Sequence, residues 1–353
     1  MKRKHTHKIG ITMGDPCGVG PEVTLKATAA LKKSAEPINI ILIGPRAVFA
    51  EAAKIIEIGL EDFCRGLNII DTGDFDIREM SERRPAPEAG KAAVECILKG
   101  IEMARSGEID ALVTAPINKE AVRMAGYPYP GHTEMLAEKT GAGNVVMMMV
   151  GKDIRVSFVT IHVPLKEVFA LISTEKILSA IKITADGLER LFGIPRARQR
   201  IAVCALNPHA GEGGLMGSEE KEIIRPAVER AGNTGINCSG PIASDVIFHR
   251  AAQGEYDAVV SLYHDQGAIP IKLLAFESGV NLTLGLPIIR TSPTHGTAFE
   301  IAGRGLAHHG SMLEAIRLAN RLAISSTSSS STSSSSGATK SSGRGKKPMS
   351  ASL

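Results

Sequence analysis

Three histidines follow apolar runs in the second half of the chain. RVSFVTI (155–161) leads into His162, RIAVCAL (200–206) into Asn-Pro-His209, and DAVVSLY (257–263) into His264-Asp265. Three imidazoles converging on one point, with a position left for water or substrate, are the donor set of a catalytic divalent metal rather than a structural one. Asp265 beside His264, and Asp245 in IASDVIF, add carboxylates that can orient a ligating ring or serve as further ligands. A lone histidine at such a place is usually a polar rim residue; three equivalent placements bring the metal reading level with that one. His5 and His7 lie in a basic terminus, His249 on a helical face, and His308 and His309 near a helix start, so none joins the set.

A second group of residues suits an anion. IKLLAFESGVNLTLGLPIIRTS (271–292) is mostly apolar yet carries Lys272, Asn281 and Arg290. Cations in such surroundings need a partner, either a phosphate or carboxylate ligand or an internal acid such as Glu277. PGHTEMLAEKTG (130–141) reads as a helix entered through His132 and Thr133. Thr133 is a plausible N-cap there, and the free N–H groups of a helix start attract anions. Lys119, in TAPINKEA (114–121), follows a strand; it and Asp245 are the two candidates for proton acceptor.

These residues must be held by an α/β scaffold. Strands are expected at 8–13, 38–44, 111–115, 144–150, 155–161, 200–206 and 257–263. Amphipathic helices are expected at 21–34, 90–105, 165–172, 176–192 and 218–231. Continuous apolar strands alternating with helices indicate a mostly parallel sheet covered on both faces. Ligands then bind outside the carboxyl ends of the strands, where the histidines fall. The Ser-rich segment 325–353 has almost no apolar residues and is expected to be disordered.

Composition narrows the class. With 353 residues, 43% apolar and 22% charged, the chain is an ordinary globular protein of one large or two medium domains. No apolar run approaches a membrane span, and the basic N-terminus lacks a signal-peptide pattern, so a cytoplasmic protein is expected. Five scattered cysteines without a CxxC argue against a disulfide framework. The net charge of +4 equals the contribution of Lys340, Arg344, Lys346 and Lys347 in the tail. The folded body is therefore near neutral, and with no Trp it offers little to nucleic acid.

Two glycine-rich loops complete the pattern. MGDPCGVGPE (13–22) joins the first strand to a helix, and THGTAFEIAGRGLAHHG (294–310) lies near the other end. Neither is GxGxxG or a phosphate loop with its lysine. Together with TAPINKEA, PGHTE, IHVPL, LNPHAGEGG, YHDQG and NLTLGLPIIRTS, they resemble the 4-hydroxythreonine-4-phosphate dehydrogenase family of pyridoxal phosphate biosynthesis, over about residues 8–323. The first and last motifs are also similar to GDGIGPE and HGSAPDIAGKG of isopropylmalate and isocitrate dehydrogenases.

The resemblance implies a two-domain, non-Rossmann α/β/α fold. Residues 1–125 plus 291–324 would form one domain and 126–290 the other, with a homodimer sharing its active sites. It implies that His162, His209 and His264 bind zinc, magnesium, manganese or cobalt, with Asp245 and Asp265 close by. His132, Thr133, Lys272, Asn281 and Arg290 would bind a small phosphorylated substrate. NAD or NADP would lie against Gly14, Asp15, His295, Gly296, Ala302 and Gly303. The implied reaction oxidises a phosphorylated 3-hydroxy acid, 4-phosphohydroxy-L-threonine, and decarboxylates it to 3-amino-2-oxopropyl phosphate. TAPINKEA and PYPGHTE are also similar to a branch acting on D-threonate or D-erythronate 4-phosphate, which would give dihydroxyacetone phosphate. Thr294 replaces a frequent Asp of the family pattern.

Overall fold

The computed structural model describes residues 6–59, 63, 65 and 67–333. One sheet of eleven strands runs through these residues in the order β3-β2-β1-β4-β11-β10-β5-β6-β9-β7-β8. The strands are β1 Lys8–Thr12, β2 Asn39–Ile43, β3 Asn68–Ile70, β4 Ala111–Thr114, β5 Val146–Gly151, β6 Ile154–Phe158, β7 Ile201–Cys204, β8 Cys238–Ile242, β9 Ala258–Ser261, β10 Val280–Leu284 and β11 Arg290–Pro293. The seven expected strands are present. β4, β7 and β9 are buried at every residue, as continuous apolar runs covered on both faces should be. The expectation of a mostly parallel sheet needs one correction. β11–β10, β10–β5 and β5–β6 pair antiparallel. These three reversals make β4 run opposite to β6, so the carboxyl ends on the two sides of the sheet point in opposite directions.

The helices are α1 Gly20–Lys33, α2 Arg46–Ile55, α3 Pro87–Ser106, α4 Lys119–Met124, α5 His132–Thr140, α6 Leu165–Leu171, α7 Thr174–Arg190, α8 Arg225–Gly232, α9 Ser244–Ala252, α10 His264–Ala275 and α11 Gly310–Ser333. The last helix returns to the middle of the sheet, where Thr291 Oγ1 donates to the Ala315 carbonyl at 2.9 Å. It also overturns part of the expected disordered tail, because it continues through residue 325 to Ser333. Leu318, Ala319, Leu322 and Ala323 are buried, and once that face is anchored each added residue gains a helical hydrogen bond. The Ser325 and Ser326 hydroxyls donate back to the Arg321 and Ala323 carbonyls. Residues 334–353 lie outside the described residues. Among the described residues no helix is long and apolar enough to cross a membrane.

One close approach bears on the site. Gly90 of α3 lies so near α4 that a Cβ there would collide with the Ala121 carbonyl oxygen. In Gly90→Ala the higher helix propensity of Ala contributes about 1 kcal/mol, but forcing packed backbones apart costs up to about 3 kcal/mol. We expect a lower denaturation midpoint, and reduced turnover because Lys119 begins α4. A midpoint at or above wild type would show that the two helices can part freely.

Candidate active site

A cavity of about 380 Å³ lies across one face of the central strands. Its floor follows from register. Arg290 pairs with Leu112, two residues before Thr114; Asn281 pairs with Ser292, and Met147 with Thr283. Side chains alternate along a strand while paired residues share a face. Thr114, Arg290, Ser292, Asn281, Thr283 and Met147 therefore project to one side. The out-of-phase Thr291 projects to the other, toward α11. The walls are Lys119, the α5 start with His132, Thr133 and Glu134, the segment Ile161–His162, and the segment His295–Gly296.

Local structure explains these placements. The Asn118 side chain caps α4, accepting from Ala121 N–H at 2.8 Å, and so sets Lys119 at the first helical position over the cavity. In α5 the N-cap is Gly131, in fully extended backbone and with no side-chain cap bond. Thr133 is thus the second helical residue rather than the expected N-cap, and its hydroxyl does not seal the helix start.

Arg290 dominates the electrostatics. It is 4% exposed, and its guanidinium donates to two threonine hydroxyls: Nε and Nη2 to Thr114 Oγ1 at 3.1 and 2.6 Å, and Nη1 to Thr283 Oγ1 at 3.1 Å. No carboxylate compensates it in these contacts, and burial pushes its pKa down to about 10. His132 is held well below the usual imidazole range by burial, then by Arg290 and Lys119. His162 is lowered by burial, then by Lys119 and His264. Two cations and neutral imidazoles around one cavity form a site that an anion would stabilise. Three side-chain atoms there are buried without a partner: His132 Nε2, Asn281 Oδ1 and His295 Nε2. Each is a hydrogen-bonding group whose burial is costly until something in the cavity engages it.

The histidines fall at the carboxyl ends of three neighbouring parallel strands, β6, β9 and β7. The His162 and His264 rings lie 5.5 Å apart between centroids. His264 Nδ1 meets Asp265 Oδ1 at 2.7 Å, the kind of carboxylate contact that orients an imidazole. His209 does not join them. Its strand is two positions from β6, about 10 Å at ordinary strand spacing, and the ring is exposed. Among the described residues no three His, Cys, Asp or Glu side chains are placed to hold one ion. The three-histidine cluster expected from the sequence is therefore not closed among the described residues. Both His162 and His209 have left-handed backbone, φ 52° and 51°. His209 to Gly213 form a run of five left-handed residues, three of them non-glycine. Such strain is tolerated where function requires it.

Several other expected residues also lie outside the cavity. Lys272 is exposed on α10, and Asp245 is exposed at the start of α9. Glu277 does not pair with Lys272 but faces His308 Nε2 at 3.7 Å. Gly14 and Asp15 are buried behind the cavity and support its Pro116 wall: Asp15 N–H donates to the Pro116 carbonyl at 2.8 Å. Burial raises the Asp15 carboxyl to about 6. Ala302 is buried, and Gly303 borders a smaller neighbouring cavity with Gly18, Glu22 and Arg83. Sequence reasoning missed Thr114, Thr283, Ser292 and Glu134, although each stands inside a quoted motif, as a hydroxyl or carboxylate beside a chosen cation or histidine.

Comparison with known proteins shows the family. The chain is 44% identical over 328 residues to a 4-hydroxythreonine-4-phosphate dehydrogenase of Desulforapulum autotrophicum, covering 88% of this chain and 94% of the relative. It is 43% identical over 329 residues to an Oceanobacillus iheyensis protein provisionally named D-threonate 4-phosphate dehydrogenase, covering 89% and 97%. The crystal structure of 4-hydroxythreonine-4-phosphate dehydrogenase from Klebsiella pneumoniae superimposes with a TM-score of 0.82 at 37% identity, over 91% of this chain and 99% of that one. Residues 33–319 match the family model described as pyridoxal phosphate biosynthetic protein PdxA, and the chain belongs to that family.

Proposed function

We propose that the protein is an NAD(P)-linked, metal-dependent dehydrogenase. It oxidises the hydroxyl of 4-phosphohydroxy-L-threonine and decarboxylates the product to 3-amino-2-oxopropyl phosphate. The observation that carries this reading is Arg290, a buried guanidinium without a carboxylate, facing a cavity sized for a small phosphorylated acid. Arg290, His132 and Thr133 bind the phosphate, and Asn281 takes a polar group through its unpartnered Oδ1. Of the two proton-acceptor candidates, Lys119 and Asp245, Lys119 is the one that lines this cavity, and it would have to lose its proton to act.

The donor set fits both absent groups. His162 and the oriented His264 suit a zinc, magnesium, manganese or cobalt ion, which when bound polarises the reacting oxygen. His295 Nε2 is unpartnered, and a Cβ on Gly296 would meet open space, so a dinucleotide that accepts the hydride can approach there. The domain division is 1–125 plus 291–324, and 126–290, with the cavity between them.

The active unit is a homodimer. Ile269, Lys272, Leu273 and Phe276 share one stripe of α10 by their i, i+3, i+4, i+7 spacing, and Ile269, Leu273 and Phe276 are 63%, 84% and 75% exposed. Exposed Val246 adjoins Asp245, and exposed Leu215 and Met216 follow the His209 turn. The expected site residues missing from the cavity thus border exposed apolar side chains, and a second copy that covered them would carry them into a shared site. Leu273→Glu should yield a folded monomer by light scattering with at least about 100-fold lower turnover. A monomer with full turnover would refute the shared site.

Relatives of both names match at nearly equal identity, so D-threonate or D-erythronate 4-phosphate, giving dihydroxyacetone phosphate, is the second reading. Following NAD(P) reduction with both substrates and each metal ion decides between them. No reduction with either would overturn the proposal.

A further inference from the structure

Residues 302–307, in the second glycine-rich loop, are gripped by three side chains that the reaction does not require. Glu22, in the first turn of α1 and 2% exposed, spends both carboxylate oxygens on this loop. Oε1 accepts from Gly303 N–H, and Oε2 accepts from Gly305 N–H at 3.0 Å. Lys26 stands one helical turn further on, on the same face of α1. Its Nζ donates to the Gly305 carbonyl at 2.5 Å and to the Ala307 carbonyl at 3.0 Å. Arg83 approaches from the other side, donating to the Ala302 carbonyl and, at 3.4 Å, to the Gly303 carbonyl. The start of α1 also holds the loop upstream, where Val19 N–H donates to the Thr297 carbonyl at 2.9 Å.

Glycines at 303 and 305 take left-handed backbone, φ 70° and 64°, so the loop has little conformational preference of its own. An acid and two bases have each been directed at main-chain atoms within six residues. We infer that Glu22, supported by Lys26 and Arg83, is a positioning residue for the dinucleotide: it holds the 294–305 loop in the conformation that receives the cofactor. The inference rests on the reading that NAD(P) lies against this loop.

The substitution Glu22→Gln keeps the shape but replaces one acceptor with an N–H donor facing a peptide N–H, so one of the two bonds must break. Calorimetric titration of NAD+ and NADP+ onto wild type and Glu22→Gln should show dinucleotide Kd raised about tenfold or more. The KM for the phosphorylated substrate, and kcat at saturating dinucleotide, should stay within about threefold. Hydrogen exchange without cofactor should show the Gly303 and Gly305 amides protected in wild type and faster in the variant. Lys26→Met, which removes only the carbonyl contacts, gives the same test if Glu22→Gln fails to fold.

A wild type that binds neither dinucleotide overturns the cofactor reading, and the inference with it. A wild type that binds, beside folded Glu22→Gln and Lys26→Met proteins of equal affinity, overturns the inference alone. Equal losses in substrate KM and kcat would make the clamp a general structural element instead.

Discussion

Replacing Arg290 by lysine should lower kcat/KM for the phosphorylated substrate by about 2–3 kcal/mol, a factor of roughly 30 to 150. The guanidinium is fixed by Thr114 and Thr283 and lines the cavity, and a guanidinium's planar fork suits a phosphate, which accepts in pairs. A lysine ammonium keeps the charge but loses the fork and the two threonine anchors together. Dinucleotide affinity should barely change. The substrate lacking its phosphate should lose most of the difference between wild type and variant, because the group that Arg290 recognises is gone. The comparison is a two-by-two cycle of enzyme and substrate. Equal slowing of both substrates would make Arg290 a structural cation instead.

The second large effect concerns the divided histidines. His162→Ala and His209→Ala should each fold with nearly unchanged stability, since neither ring is packed in the core. Each should lose bound metal, and turnover by roughly 100-fold or more. Dissociating and mixing the two inactive proteins in equal amounts should then restore roughly a quarter of wild-type activity. Random pairing makes half of the dimers mixed. In a two-fold dimer that draws His162 and His209 from different subunits, each mixed dimer holds one site with both rings intact. If both rings of a site came from one subunit, every site in the mixture would lack one ligand and no activity would return.

Much of this architecture was legible in the sequence, for reasons that also show where reading had to stop. ALVT and AVVS are strands buried on both faces, and their unbroken apolar character says so directly. Asn68–Ile70 and Cys238–Ile242 escaped notice because edge strands need little apolar pattern, and the second tolerates Pro241 for the same reason. Val280–Leu284 and Arg290–Pro293 were visible only as an apolar stretch with embedded charges. Their pairing with β5 and β4 is a long-range fact that no local period encodes. In the site, Lys119, His132, Thr133, His162, Asn281, Arg290, His295 and Gly296, each singled out by residue type or motif, line one cavity. Lys272 and His209 carried equally strong local signals yet lie apart from it. Which face of the fold a residue ends on is set by long-range packing, which local spacing does not encode.

The position of β11 has a consequence for synthesis. β4 finds its second neighbour only in residues 290–293, roughly 180 residues further along the chain. At about 5–20 residues per second, the ribosome delivers that partner on the order of ten to thirty seconds after β4 emerges. A nascent chain whose first four strands pair as they emerge would carry the sheet β3-β2-β1-β4 with the β4 edge unpaired and one face waiting for α11. An unpaired edge of this kind is a template for pairing with other chains. Slowing translation between residues 115 and 290 should cost yield through aggregation, even though the finished molecule is unchanged.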